Sequence, residues 1–255
     1  MKIVIVGSGN AATVLGKLIK RAGHDVVQVL SRNELHAKKL ADILDCESGN
    51  YITTPYKDAD LYLFALTDNA LHHLYEHVQL EDKLIVHTCG SVSKNVLTEI
   101  SEKHGVIYPL QSLNKDSGDL PQIPLLIDGS TTEILSYLMK FAKTISNDVS
   151  AANDEERLKF HVAAVFVNNF TNHLYAIADD FCTQENIDFR KLMPLIAETA
   201  ERIKKFPPKE VQTGPALRQD IYTLGKHLKM LSADPDLKYI YLKLSESILK
   251  LHRVK

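Results

Sequence analysis

Short β-branched runs alternate with helical patterns from the start of the chain to about residue 150, and no other feature restricts the fold as strongly. Parallel strands cannot be joined by tight turns, so each needs a crossover helix, and the alternation predicts βαβ units around a parallel sheet. Strands are predicted at "KIVIV" (Lys2 to Val6), "DVVQVL" (Asp25 to Leu30), "YITT" (51–54), Leu61 to Leu66, "KLIVHT" (83–88), "GVIYPL" (105–110) and "IPLLI" (123–127), with a short one near Val149. Helices are predicted at Ala11 to Ala22, Glu34 to Leu44, Asn69 to His77 and Thr132 to Thr144, each starting beside an Asn, Asp or Thr able to cap it.

From Asn153 onward the strand pattern stops and long helical periodicities take over. This shift predicts a nucleotide-binding domain at 1–152 and an all-helical domain at 153–255. "FPPKEVQTGP" interrupts the second part, because neither its proline pair nor its Gly-Pro fits inside a helix. A helix is expected from about Ala216 to Leu231, and a last one over "PDLKYIYLKLSESILKLH".

Charge and cysteine usage narrow the function. With 30 basic against 32 acidic side chains and no long basic run, the chain has no electrostatic footprint for nucleic acid. Cys46, Cys89 and Cys182 are scattered and form no Cys-x-x-Cys pair, which argues against a disulfide framework or a zinc ribbon and fits the cytoplasm. No basic leader with a long apolar core is visible, and no apolar stretch approaches the roughly 20 residues that cross a bilayer, so no membrane partner is expected.

The opening "VIVGSGNAATVLG" is a Gly-x-Gly-x-x-Ala turn that leaves a strand and starts a helix, the context in which this pattern holds a pyrophosphate. Gly7 allows the sharp turn, Ser8 follows it, and Gly9 offers no side chain to block a phosphate. Ala12 and Gly16 let the helix lie close to the sheet. The amides of Asn10 and Ala11 point at the phosphates from the positive end of the helix dipole. At the end of the second strand, where an NAD site usually carries an acid, the chain reads "VLSRN". Ser31 and Arg32 there suit a 2′-phosphate, so NADP is the expected cofactor, the alternative being NAD with Arg32 a solvated loop residue.

In a doubly wound sheet, ligands lie beyond the carboxyl ends of the strands. "VHTCGS" places His87, Thr88, Cys89, Gly90 and Ser91 there, and "YPLQS" places Gln111 and Ser112. His87 is either a proton donor beside the nicotinamide or a strand-end histidine bonded to backbone. Cys89 is read as a wall residue and Asp68 as a helix cap, while Leu66 and Thr67 line the adenosine side. On the long apolar helix around "FHVAAVFVNNF", expected to be buried on nearly all sides, His161, Asn168 and Asn172 fall within roughly 20° of one line at 100° per residue. That polar stripe serves a polar substrate in a domain cleft, an internal hydrogen-bond network or a subunit contact. In "TGPALRQD", Thr213 can cap a helix, and Arg218 either grips a substrate carboxylate or pairs with Asp220. His227, seven residues beyond Asp220, reaches the same face or faces water. His73 and His77 have metal-ligand spacing but no third ligand, so no metal is expected.

Together, "VIVGSGNAATVLG", "LSRN", "HTCGS", "YPLQS", "FHVAAVFVNNF" and "TGPALRQD" resemble the Rossmann-like proteins that carry domain of unknown function 2520, a group usually labelled NADP oxidoreductases. More distantly the chain resembles the pyrroline-carboxylate, ketopantoate and hydroxyacid dehydrogenase superfamily, where a dinucleotide domain precedes a helical domain that forms dimers. The resemblance implies NADP at Gly7, Gly9, Asn10, Ala12, Ser31 and Arg32. It further implies a cleft lined by His87, His161, Asn168, Arg218 and Asp220. Two departures limit the transfer. The catalytic lysine of the hydroxyacid dehydrogenases precedes an asparagine by four residues, whereas Lys159 here precedes Ala163. The relatives also tend to read Arg-Gly-Asp where this chain has Arg218, Gln219 and Asp220.

The expectation is therefore an α/β protein: an N-terminal Rossmann-type doubly wound, mostly parallel sheet followed by an all-helical domain that dimerises. Its expected activity is hydride transfer between NADPH and a small polar carbonyl or imine in the interdomain cleft. His161 or His87 would give the proton, while Asn168 and Arg218 anchor the substrate. A non-catalytic NADP sensor or scaffold and a deazaflavin-dependent NADP reductase are the alternatives.

Overall fold

The computed structural model describes residues 1–116, 120 and 122–252. Eight strands form one sheet: β1 (Lys2–Val6), β2 (Asp25–Leu30), β3 (Glu47–Gly49), β4 (Leu61–Phe64), β5 (Ile85–His87), β6 (His104–Pro109), β7 (Leu125–Gly129) and β8 (Val149–Ala151). Their order is β3-β2-β1-β4-β5-β6-β7-β8, parallel at every pairing except the antiparallel β6 and β7. Between the first strands run α1 (Asn10–Arg21), α2 (Glu34–Leu44) and α3 (Asp68–His72), with α4 (Thr132–Ile145) joining β7 to β8.

Side chains alternate across a pleated strand, so the continuous apolar runs feed two cores. Ile3, Ile5, Leu61 and Leu63 pack with Leu15, Leu40 and Phe141 on one face, while Val4, Val6, Tyr62 and Phe64 pack with Leu71 and Leu97 on the other. The strand order reverses direction between β1 and β4, which puts the switch point beside Gly7.

Two elements differ from the sequence reading. "YITT" is a turn rather than a strand, and β3 lies just before it. The Asn50 side chain accepts from Ile52 N–H at 2.9 Å, and the Thr54 hydroxyl accepts from Asn50 N–H at 2.9 Å, so side chains take the donors a strand ladder needs. The helix expected at Asn69 to His77 ends at His72 and continues only as a 3-10 turn, Leu74–Glu76. Its cap is Thr67, which accepts from Ala70 N–H at 3.4 Å, and not Asp68.

After β8 come α5 (Asp154–Ala164), a π-helical turn at Val165–Phe170, α6 (Thr171–Gln184), α7 (Met193–Ile203), α8 (Ile221–Met230) and α9 (Pro235–His252). The chain separates into two compact units, Met1–Phe170 and Thr171–Lys255. α5 opens with a capping box in which Asn153 and Glu156 each accept the other's backbone N–H at 3.0 Å. α8 begins later than expected. Its cap is Asp220, which accepts from Thr223 N–H at 3.0 Å, and not Thr213.

Just before that cap, Gln219 sits at φ +55°, in the left-handed region that glycine adopts freely. Gln219→Gly is therefore expected to raise stability, by about 0.5 kcal/mol or more where relief of the left-handed conformation outweighs glycine's extra unfolded-state entropy. A denaturation midpoint below that of the parent chain would refute this.

The long helical run is not buried on nearly all sides, as its composition led us to expect. Phe166, Val167 and Phe170 are 63%, 75% and 50% exposed, and between residues 171 and 252 only Cys182 and Ala216 are buried. Apolar periodicity reports which faces need covering, and this chain alone does not cover these. No helix among the described residues is long and apolar enough to cross a membrane.

Candidate functional site

The turn after β1 is built on backbone. Gly7 has φ +126° and donates its N–H to Leu30 O at 2.7 Å, holding the ends of β1 and β2 together. Gly9 is the N-cap of α1 and has no side chain to fill the space above it; a Cβ there would meet nothing within 4 Å. The first-turn amides, Asn10 and Ala11 included, thus open onto free space at the positive end of α1, with no acidic side chain in that turn. Ala12 is fully buried, and a Cβ on Gly16 would lie 2.8 Å from Leu44, so small residues do bring α1 onto its neighbours.

Ser8 and Ser31 meet through their hydroxyls at 2.8 Å, linking this turn to the end of β2. Beyond Ser31, an open hollow of about 610 Å³ is lined by Arg32, Asn33, Glu34, Leu35, His36 and Asn50. Arg32 and His36 are the basic members of that lining and Glu34 the acidic one. Leu66 and Thr67 follow β4 at the same edge, where Leu66 O accepts from the Cys89 thiol at 3.4 Å.

Further along that edge, at the end of β6, lies a cavity of about 470 Å³ within the first unit. Its polar lining is Tyr108, Gln111, Ser112, His161, Asn168 and Asn169. His161 Nδ1 lies 3.0 Å from the Tyr108 hydroxyl, with the two rings edge-on at 71°. Gly90 closes this contact from the β5 loop, since a Cβ there would fall 2.8 Å from His161 Nδ1 and 2.9 Å from Tyr108 Cζ. Burial pushes the Tyr108 phenol above its ordinary pKa, so it is a neutral hydroxyl at neutral pH. Asp68 stands nearby: burial works to raise its pKa, but hydrogen bonds from Ser91 and Cys89 and the charge of His161 bring it below the usual carboxylate value.

The structure thus brings His161 and Asn168 to one cavity and adds Asn169, which the 100° periodicity did not single out. The reason is the π turn: i→i+5 bonding spreads a turn over more residues and rotates the face that follows. The single straight stripe through Asn172 assumed an uninterrupted α-helix, and the π turn at Val165–Phe170 interrupts it.

His87 is placed differently. It is fully buried, its Nδ1 accepts from Cys89 N–H at 3.1 Å, and its Nε2 is buried with no hydrogen-bond partner. Burial, reinforced by the Arg157 charge, holds its pKa down to about 4, so at neutral pH the ring is uncharged and shielded from ligands. Of its two readings the structure favours the backbone-bonded one. Cys89 is likewise buried, and desolvation raises its thiol far from ionisation.

In the second unit, the Asp220 carboxylate is engaged as the α8 cap, accepting also from the Thr223 hydroxyl at 2.7 Å. Arg218 is exposed, and His227 pairs with the Tyr241 hydroxyl at 2.7 Å. Just past α3, His73 meets Glu76 at 3.1 Å, and no group of three or more His, Cys, Asp or Glu able to hold a metal occurs among the described residues.

Sequence reasoning passed over Tyr108 and Arg157. Tyr108 stands inside the quoted "YPLQS", where its position on a buried strand gave no hint of a partner 53 residues away. Arg157 looks like an ordinary helix-surface cation, yet it is 1% exposed. Its Nη2 donates to Val92 O at 2.5 Å and to Asp154 Oδ1 at 2.6 Å, and its Nη1 lies 4.0 Å from Asp128. That ion cluster ties α5 to the loop after β5 and to β7, and so sets His161 over the sheet edge.

Comparison with known proteins follows the same lines. A family model described as domain of unknown function 2520 matches residues 123–248, and one described as "NADP oxidoreductase coenzyme F420-dependent" matches residues 2–90. Among solved structures, the chain is 40% identical to the "putative NADP oxidoreductase BF3122 from Bacteroides fragilis", over 98% of both chains, with a TM-score of 0.91. It shares its fold with a reductive aminase from Aspergillus terreus in complex with NADPH, at 14% identity over 99% of this chain and 94% of that one, TM-score 0.71. A 1-pyrroline-5-carboxylate reductase from Streptococcus pyogenes matches at 14% identity over 98% of each, TM-score 0.63. No curated protein matches.

Proposed function

This chain belongs to the NADP oxidoreductases that carry domain of unknown function 2520, and from that membership we propose that it reduces a small polar carbonyl or imine in the cavity at the end of β6. The observation that carries this reading is the cavity itself, which sets an imidazole, His161, beside neutral polar groups at the carboxyl edge of the doubly wound sheet.

The glycine turn suits the cofactor. The open amides of Asn10 and Ala11 donate to a pyrophosphate without a clash from Gly9, and Ser8, Ser31, Arg32 and His36 gather hydroxyls and basic side chains near the end of β2 for a 2′-phosphate. Leu66 and Thr67 wall the nucleotide at the end of β4, and His87 supports the β5 end from beneath. NADPH, when bound, supplies the hydride. The chain's residues orient the acceptor and provide the proton: Asn168 anchors the substrate, and His161 gives its proton to the oxygen or nitrogen that hydride addition leaves negative. Arg218 is proposed to grip a substrate carboxylate, and Asp220 caps the helix that follows it.

We assign residues 1–152 to the cofactor and 153–255 to substrate binding and self-association. The exposed Phe166, Val167 and Phe170, and the near absence of buried residues after 170, support a second copy of this chain as the cover for that apolar surface. A second reading, hydride exchange between NADP and a deazaflavin, is favoured by the match over residues 2–90, a segment that does not include Tyr108, His161 or Asn168.

Calorimetry with NADPH and NADH, followed by NADPH oxidation at about 340 nm against keto acids, cyclic imines, quinones and a deazaflavin, tests these readings. NADPH is expected to bind at least about tenfold more tightly than NADH, the difference of one charge-assisted phosphate contact. Equal affinity would remove Ser31 and Arg32 from that role. Tight NADPH binding with no oxidation by any acceptor would favour a sensor over an enzyme.

A further inference from the structure

Resting on the reductase reading, we propose that Tyr108 is a positioning residue for His161: its hydroxyl holds Nδ1 in place, so that Nε2 is the nitrogen left for a ligand in the cavity. Two observations converge on this. The Tyr108 hydroxyl lies 3.0 Å from Nδ1, and both residues line the same cavity. Gly90 lies flat against the contact, where any Cβ would collide with both rings, so the β5 loop closes off the Nδ1 side and leaves the ring one way to face.

The choice of a hydroxyl as the partner matters chemically. A carboxylate can only accept and a backbone N–H can only donate, so either would favour one protonation state of the ring. A phenol does both. It donates to Nδ1 of the neutral imidazole and accepts from Nδ1–H of the imidazolium, so the ring keeps its orientation while its proton load changes. Tyr108 stays protonated throughout, and no proton leaves it. Two charged neighbours are relevant, Arg157 and Asp68, whose opposite charges both act on Tyr108.

The test is Tyr108→Phe in the full-length protein, read in two ways. By nitrogen NMR of the imidazoles, the wild-type Nδ1 of neutral His161 is expected to resonate as a hydrogen-bonded acceptor and to move to the free position in Y108F. An unchanged resonance overturns the proposal whether or not any substrate is known. With whichever acceptor the wild type reduces, Y108F is expected to lower kcat about tenfold, the loss of one oriented hydrogen bond, at unchanged NADPH affinity. His161→Ala should lower it about a hundredfold or more, and Y108F should then cost nothing further in the H161A background. A purely structural Tyr108 would cost the same in both backgrounds, and that result would refute the positioning role. A wild type inert to all acceptors would count against the reductase reading alone, because the NMR result still decides the pair.

Discussion

Gly7→Ala is expected to destabilise the chain by about 3 kcal/mol or more, through forced backbone strain and overpacking that no neighbour can relieve. Gly7 has φ +126°, a conformation that side-chain-bearing residues rarely adopt, and an added Cβ would fall 2.1 Å from the carbonyl oxygen of Ala65. Neither partner can yield. The Ala65 backbone is bonded to Val6 O at 2.8 Å and Gly7 N–H to Leu30 O at 2.7 Å, so relief would have to part β1 from β2 or from β4. Urea unfolding with an unchanged m-value measures the loss. Gly9→Ala is the control that separates fold from function. Its Cβ meets nothing within 4 Å, so stability should change by less than about 1 kcal/mol while NADPH affinity falls, because that is the space proposed for the pyrophosphate. A G7A protein as stable as its parent would mean that the turn is not held as described.

Arg157→Met is expected to cost about 3 kcal/mol, the usual range for removing one partner from a buried ion cluster. Arg157 is 1% exposed and shares the acids Asp154 and Asp128, the second of which also meets Lys94 at 3.0 Å. Burial acts to raise the pKa of Asp154, yet hydrogen bonds from Ser93 and Arg157 bring it below the usual carboxylate value, so the acid is charged and depends on its partners. Two of the guanidinium donors, Nε and Nη1, are buried without hydrogen-bond partners, which lowers what the cluster contributes and keeps the expected loss near the bottom of that range. A loss under about 1 kcal/mol would show that Lys94 alone neutralises both acids.

Much of the molecule was legible because short-range chemistry writes it. The short β-branched runs of "KIVIV" and "DVVQVL", the 3.6-residue period of α2, and the Thr131 cap of α4 each depend on residues a few positions apart. "YITT" failed on the same scale, because β-branched content suggested a strand while Asn50 and Thr54 took its backbone donors. The polar stripe on the long helix assumed an uninterrupted α-helix, and periodicity cannot announce the π turn that interrupts it.

Local pattern in the chain was enough to specify a doubly wound sheet, a glycine turn after β1 that leaves open space above it, and Ser31 with Arg32 after β2 in place of an acid. Only the folded molecule separates the histidines. His87 and His161 are both candidates on paper, and the fold buries the first while it lays the second against Tyr108 and Gly90. The reason is distance: Gly90, Tyr108 and His161 belong to separate elements, and their contact exists because β5 and β6 are neighbours and α5 is tied down over their ends. A periodicity has no access to that, since it records what each element hides and not what it will lie against.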